Sequence, residues 1–175
     1  PTHKQAWLWG IVIPIALGIM TFLLVCGPSL LDPTNIGWLY REDFATHYLG
    51  WRYFRHAAWA LPLGLNPDYG IELSSSIVYS DSIPLFAIVF KLFNPLLPEP
   101  FQYFGIWLLI CFVLQALFAW KLMTLITGSN WQKAFGCLLF LFAPPMLYRL
   151  GIHLVLVGQF TILAALYLYY RPNDD

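Results

Sequence analysis

The chain has 175 residues, of which 59% are hydrophobic, 18% aromatic and 10% charged, and its formal net charge is zero. A soluble domain carries roughly a quarter charged residues, so this composition excludes a globule coated on all sides by water. The balance of charge, with no basic excess and no long acidic tail, argues against nucleic acid as a partner.

The first apolar run extends from Trp7 to Cys26 and is closed by Gly27-Pro28. It reaches the roughly 20 residues that a bilayer crossing needs. The apolar core of a signal peptide is shorter and ends at small residues, so an uncleaved anchor over about 7–27 is expected. The segment 28–100 that follows holds Asp32, Glu42, Asp43, Asp68, Glu72, Asp81 and Glu99, every acid of the chain except Asp174 and Asp175. A connection that long is usually functional. Within it, Phe44, Tyr48, Trp51 and Arg55 recur at steps of four, three and four. That spacing predicts a helix over Asp43 to Trp59, lying in the plane of the lipid headgroups with its aromatics toward the lipid. Leu61 to Gly70 is dense in turn formers, and Ser74 to Ser82 reads as a polar connection. Ile83 to Phe93 is apolar but is interrupted by Lys91 and bounded by Pro84 and Pro95. Its length suits an interfacial helix better than a crossing.

Three more crossings are expected at 101–123, at 134–149, which is broken by Pro144-Pro145, and at 154–170. Four crossings place Lys4, Lys121, Lys133 and Arg171 on one side of the membrane. The positive-inside rule makes that side cytoplasmic and the 28–100 loop extracytoplasmic, whereas a fifth crossing would lose the pattern. The expected fold is therefore an all-α membrane protein: one module over 1–175, with four transmembrane helices and a long extracytoplasmic loop containing amphipathic, interfacial helices. Cys26, Cys111 and Cys137 all fall in apolar runs and read as small buried hydrophobes.

Glycine-rich phosphate loops, CxxC, HExxH and GxSxG are all absent. The candidate chemistry lies in Glu42-Asp43 and His47, just beyond the first anchor. A carboxylate at headgroup level takes a proton from a hydroxyl, or holds a metal ion that binds phosphate. Neighbouring side chains on a helix diverge, which favours Asp43, with His47 one turn on. The plainer reading is a solvated acid pair capping a surface helix and paired with Arg41. Arg52 and Arg55 present forks suited to phosphate, or serve only as ordinary headgroup anchors. Asp81 stands before the short apolar helix as a cap or as a site residue. Arg149 and His153, at i and i+4, contact a substrate or simply snorkel at the boundary. Gln159 is expected inside the last helix, where it would hydrogen-bond to another helix.

Together these residues resemble the N-terminal module of the GT-C class of membrane glycosyltransferases, and in particular bacterial GT-C-like proteins of unassigned function. The likeness is carried by Glu42-Asp43 with His47, Leu49 to Arg55, Pro62 to Pro67, Ser80 to Leu85, Phe101 to Trp107, and Arg149 through His153 to Gln159. The resemblance implies transfer of a sugar from a polyprenyl-phosphate carrier to a glycolipid, polysaccharide or protein hydroxyl, at the outer face of a bacterial inner membrane. Asp43 matches the catalytic acid of the first loop. Glu42, His47, Arg52, Arg55, Asp81, Arg149 and His153 would contact substrate, with the two loop arginines on the carrier phosphate. His153 stands where metal-using members commonly carry an acid, so no cofactor is expected and a divalent ion is disfavoured. Such enzymes have more crossings than four, which points to a longer chain or to other membrane subunits as partners. The alternative is a non-enzymatic membrane subunit, or degenerate paralogue, that binds lipid or a partner protein.

Overall fold

A computed structural model of the chain describes residues 8–70 and 73–172. Lys4, Glu72, Asp174 and Asp175 lie outside the described residues, as does the side chain of Glu42. The described chain is mostly helical. In order it forms α1 (Leu8–Val25, opening with a π-helical turn over Leu8–Val12), α2 (Glu42–His56), α3 (Pro84–Leu92), α4 (Phe104–Thr124), α5 (Asn130–Leu141), α6 (Pro144–Leu150) and α7 (Phe160–Tyr170). One antiparallel ladder pairs β1 (Leu65–Asn66) with β2 (Ser75–Ser76). The helices and loops cluster into two compact units.

The first unit comprises the described parts of Pro1–Pro28, Ile106–Leu150 and Leu156–Asp175. Two helices, α1 and α4, are long and apolar enough to cross a membrane. α1 ends where Gly27 takes a left-handed φ of 79° and its N–H closes on Leu23 O at 3.1 Å. That is the usual helix stop, and Pro28 then prevents continuation. α1 packs close against α4 because Gly18 has no side chain: a Cβ there would stand 2.7 Å from Cα of Val113. Small residues allow this approach between apolar helices, where dispersion contacts replace the hydrophobic drive available in water. Phe22 meets Phe112 edge-on at 6.0 Å on the same seam. Trp9, stacked on Trp120 at 6.3 Å, joins a core formed by Ala119, Trp120, Cys137 and Leu163. Cys111 and Cys137 are buried and free, and Cys26 is free and half-buried.

The expected crossing at 134–149 is a broken pair: α5 and α6 meet at a 42° bend across Phe142-Ala143. Pro144 and Pro145 supply no N–H groups to continue α5, but they suit the first turn of a new helix. The last helix is shorter than expected. Its first turns are replaced by a 3-10 turn over Val155–Val157, and α7 begins only at Phe160. Gln159 is therefore the residue preceding the helix rather than one within it. Gly151 and Gly158, both poor helix formers, bracket the segment that fails to wind.

The second unit comprises Ser29–Gly105 and Gly151–Val155. The predicted helix over Asp43 to Trp59 is observed as α2, which starts at Glu42 and stops at His56. Its aromatic stripe corrects the expectation of lipid contact. Tyr48, Trp51 and Phe54 are almost wholly buried inside this unit, together with His47 and Arg55. Trp51 donates from Nε1 to Phe101 O at 3.0 Å and meets Tyr103 edge-on at 5.0 Å. The periodicity is that of a core face; its partners, Phe101 and Tyr103, lie too far along the chain for periodicity to reveal them.

The ends of this unit are locked together by Gln102, which is 1% exposed. Its side-chain amide donates to Leu30 O at 2.9 Å and Asp32 O at 2.8 Å, while Oε1 accepts from the Gly105 N–H at 3.0 Å. A Cβ on Gly105 would fall 1.8 Å from Leu30 O, so glycine is obligatory at this crossing of the two strands of chain. α3 carries Lys91 on its buried face. The Nζ lies 4.0 Å from the Phe54 ring centre and 4.6 Å from that of Trp59.

Candidate functional site

The second unit holds a small cleft of about 110 Å³ lined by Asp43, Thr46, His47, Tyr79, Ser80, Asp81 and His153. Four of these, Asp43, His47, Asp81 and His153, are residues singled out from the sequence alone. Three stretches of chain distant in sequence deliver them: the first turns of α2, the strap before α3, and the segment between α6 and α7.

Asp43 and His47 sit one turn apart on α2, so their side chains project from the same side of the helix. Asp43 Oδ2 lies 3.7 Å from Nδ1 of His153. Both groups are partly exposed, with side-chain accessibilities of 53% and 33%.

His47 is different because it is 2% exposed. Its Nδ1 lies 3.0 Å from the carbonyl of Ser80. A carbonyl oxygen only accepts, so Nδ1 carries a hydrogen and donates it to Ser80 O. The Nε2 of the ring is buried and has no hydrogen-bond partner among the described residues.

The strap 80–83 is held down by a dense set of polar contacts. Ser82 Oγ donates to His47 O at 2.6 Å, Ser80 and Ser82 share a hydroxyl contact at 2.8 Å, and Ser80 Oγ reaches Ile77 O at 3.1 Å. The Tyr103 hydroxyl donates to Ser82 O. These bonds sustain left-handed backbone at Asp81 (φ 50°) and at Ile83 (φ 52°). For a β-branched residue such as Ile83 that conformation is a genuine outlier, kept only where surroundings over-determine it. The result turns Asp81 into the cleft. Asp81 is not the cap of α3, because the residue preceding that helix is Ile83 and no side chain caps its start.

The remaining candidates are placed elsewhere. Arg55 is not an available phosphate clamp. Its guanidinium is buried and bonded to Glu99 at 3.1 Å, Asn94 Oδ1 at 2.7 Å and Pro98 O at 3.2 Å. Burial of an arginine is tolerable only with such partners, and its Nε and Nη1 donors are engaged inside the protein. Arg52, three residues earlier, is exposed and lines a second and larger cleft of about 380 Å³ with Leu49, Tyr53, His56 and Asp68. Arg149 belongs to the other unit, on α6, its guanidinium 6.0 Å from the Tyr148 ring. Glu42 opens α2, and its side chain lies outside the described residues. Among the described residues, no group of three or more His, Cys, Asp or Glu is placed to hold a metal ion.

Gly50, Ser80, Ser82 and Tyr103 lie in the stretches that carry the resemblance, but the sequence reading gave none of them a role; a mid-helix glycine, which costs about 1 kcal/mol and often marks a close approach, was the available signal at Gly50. A Cβ on Gly50 would stand 2.1 Å from Ser80 Oγ.

A family model described as a domain of unknown function, DUF6311, matches residues 15–175. The chain belongs to the DUF6311 family. No curated protein and no solved structure matches it. The family match covers the residues of the Asp43 and His153 cleft, all of α4, and α1 from residue 15 onward.

Proposed function

We propose that this DUF6311 protein is a GT-C-like glycosyltransferase module, which moves a sugar from a polyprenyl-phosphate carrier to a hydroxyl at the outer face of a bacterial inner membrane. The observation that carries this reading is the 3.7 Å approach of Asp43 to His153. These are the two loop positions that the GT-C resemblance marks, and neither composition nor helical periodicity requires them to meet.

In this reading the hydroxyl oxygen of the acceptor attacks the anomeric carbon of the carried sugar. The bond from that carbon to the phosphate oxygen breaks, its electrons leave with polyprenyl phosphate, and the hydroxyl proton passes to the Asp43 carboxylate. His153, 3.7 Å away, orients that carboxylate. Arg52, exposed beside the other cleft, stands nine residues beyond Asp43 on the opposite side of α2, so it is read as an anchor for anionic lipid rather than as the clamp on the leaving phosphate. The membrane arrangement that goes with this function has four crossings: α1, α4, the bent α5–α6 pair, and α7 with the turn before it. Lys121 and Lys133 flank the connection between α4 and α5, which the positive-inside rule assigns to the cytoplasm. The polar unit 29–105 then faces outward, where polyprenyl-linked sugars are presented.

The test uses purified full-length protein in lipid vesicles with a panel of polyprenyl-phosphate hexoses, measuring release of polyprenyl phosphate. The native protein should release it from at least one donor when an acceptor is present. Asp43→Asn should reduce the rate by roughly 10²- to 10⁴-fold, as loss of a general base does. Native protein inert toward every donor, or an Asp43→Asn variant of native rate, would instead favour a non-enzymatic membrane subunit.

A further inference from the structure

The outward face of α2 carries an arrangement of its own. Leu49, Arg52, Tyr53 and His56 stand at i, i+3, i+4 and i+7, which places them in one stripe along the helix. Leu49 is half-buried and the other three are exposed. They line the cleft of about 380 Å³, and Asp68, exposed on the 65–70 loop, completes it. That loop is fixed to the helix. Asn66, wholly buried, donates from Nδ2 to Gly50 O at 3.0 Å, and the Tyr69 and Tyr53 rings lie 5.6 Å apart. Sites for small ligands start at about 300 Å³, so the cleft is large enough for one. Arg52 and Asp68 bring opposite charges to it and yet, among the described residues, neither forms an ion pair. An exposed pair gains little by closing, which leaves both charges to a ligand that bridges them.

Such a ligand brings an anion for Arg52 and a donor for Asp68. A guanidinium fork matches phosphate oxygens, and a carboxylate accepts hydrogen bonds. Asp68 limits the anion, because it repels a phosphomonoester with its roughly two charges more than a singly charged phosphodiester. It limits the donor as well. Burial lowers the pKa of Lys91 and the Asp68 charge opposes this, so Asp68 already acts on one ammonium, and a neutral hydroxyl suits it better than a second. The membrane supplies esters of this kind. α1 ends at Val25 shortly before this unit begins at Ser29, and α4 begins at Phe104 where the unit closes at Gly105. Both ends of the unit are thus tied to helices of membrane-crossing length. We propose that the cleft seats the headgroup of an anionic phospholipid of the phosphatidylglycerol type: its phosphodiester bonds Arg52, and a glycerol hydroxyl donates to the Asp68 carboxylate. This rests on the anchoring role of Arg52 given above and deepens it. It does not depend on sugar transfer, since Arg52 stands on the side of α2 away from Asp43.

Native mass spectrometry of the full chain tests it, with the protein released from detergent containing equal amounts of dioleoyl phosphatidylglycerol, phosphatidylethanolamine and phosphatidic acid. Native protein should retain phosphatidylglycerol over both of the others. Arg52→Met should lower that retention by about tenfold, whereas Arg41→Met, at the residue preceding α2, should leave it in place. Asp68→Ala separates recognition from general attraction. Where only charge matters, removing an acid strengthens binding of every anionic lipid alike. Where Asp68 accepts from the headgroup, phosphatidylglycerol falls relative to phosphatidic acid, and that is the result expected. Arg52 and Asp68 are both exposed, so neither substitution disturbs the core. A lack of preference for phosphatidylglycerol, equal losses in Arg41→Met and Arg52→Met, or an unchanged or rising ratio in Asp68→Ala overturns the proposal. Displacement of the lipid by an equal concentration of glycerophosphoglycerol would assign the cleft to a soluble ester and overturn it too. Arg52-dependent retention of all anionic lipids alike would keep the anchoring role and reject the headgroup. Selective retention by a protein that transfers no sugar would retire the transferase reading and leave this site standing.

Discussion

Gly50 and Ser80 approach so closely that a single methyl group would not fit between them: a Cβ on Gly50 would lie 2.1 Å from Ser80 Oγ and 2.3 Å from its Cβ. This gap sets the distance between α2 and the strap that carries Asp81. It also explains why a glycine, unfavourable in a helix interior, sits in the middle of α2. Gly50→Ala must push the strap away, disturbing the Ser82 bond to His47 O and the Ser80 bond to the His47 ring together. Overpacking of this kind typically costs about 1–3 kcal/mol. Thermal unfolding in detergent should show that loss. Gly10→Ala, where an added Cβ meets nothing within 4 Å, should be neutral or slightly stabilising.

The two arginines of α2 should separate into structural and binding roles. Arg55→Met removes the partner of Asn94, Pro98 O and Glu99 at once. Glu99 is half-exposed and is rehydrated, so the expected cost is set mainly by the lost hydrogen bonds, about 1–3 kcal/mol. Arg52→Met should change stability by less than about 0.5 kcal/mol, as exposed substitutions do, but should weaken retention of anionic lipid. Unfolding midpoints and a lipid-binding assay on the same pair of variants measure both. Equal effects of the two substitutions on stability would show the assignment to be wrong.

Much of this was legible in the sequence, and the failures have physical reasons. The composition and the two long apolar runs were enough to mark α1 and α4 as membrane-crossing lengths. The period of Phe44, Tyr48, Trp51 and Arg55 was enough to define α2, although not which side its aromatics face. Periodicity identifies an apolar face, while its partner is set by tertiary pairing, here with Phe101 and Tyr103. Asp43, His47, Asp81 and His153 were found individually from residue type and position. Their convergence depends on left-handed backbone at Asp81 and Ile83, which aspartate tolerates but a β-branched isoleucine disfavours. Arg55 misled because an arginine on an aromatic helix face looks the same in sequence whether it reaches for a lipid phosphate or for a buried asparagine.

Lys91 provides a pH signature. Burial between Phe54 and Trp59 pulls its pKa below the usual lysine value, and the Asp68 charge opposes this only in part. Below the folded-state pKa both folded and unfolded chains carry the charge, and folding bears the cost of desolvating it. Between the folded pKa and the ordinary value near about 10.4 the unfolded chain binds more protons, so stability rises with pH across that window. Lys91→Met should abolish this alkaline rise. Denaturation of native and variant protein across that range checks it, and an unchanged slope would place its origin elsewhere.

Acid should act through Asp32. Its carboxylate accepts from the Thr34 hydroxyl at 2.7 Å and the Thr34 N–H at 2.8 Å, which lowers its pKa. The stability it contributes is present above the ordinary aspartate range and is lost as pH falls through the lowered folded value. Asp32→Asn should flatten the acid limb of the stability profile. A profile identical to that of the native protein would count against the turn at 32–34 as its source.

The central claim is that Asp43 and His153 act as one site, and a double-mutant cycle on sugar transfer measures that most directly. Release of polyprenyl phosphate is compared for native protein, Asp43→Asn, His153→Ala and the double variant. Groups that work as a unit are strongly non-additive. The account predicts that His153→Ala slows release in the native background and changes almost nothing once Asp43 has been replaced. If the two losses multiply in the double variant, Asp43 and His153 act independently, and the 3.7 Å pair is not the catalytic unit described.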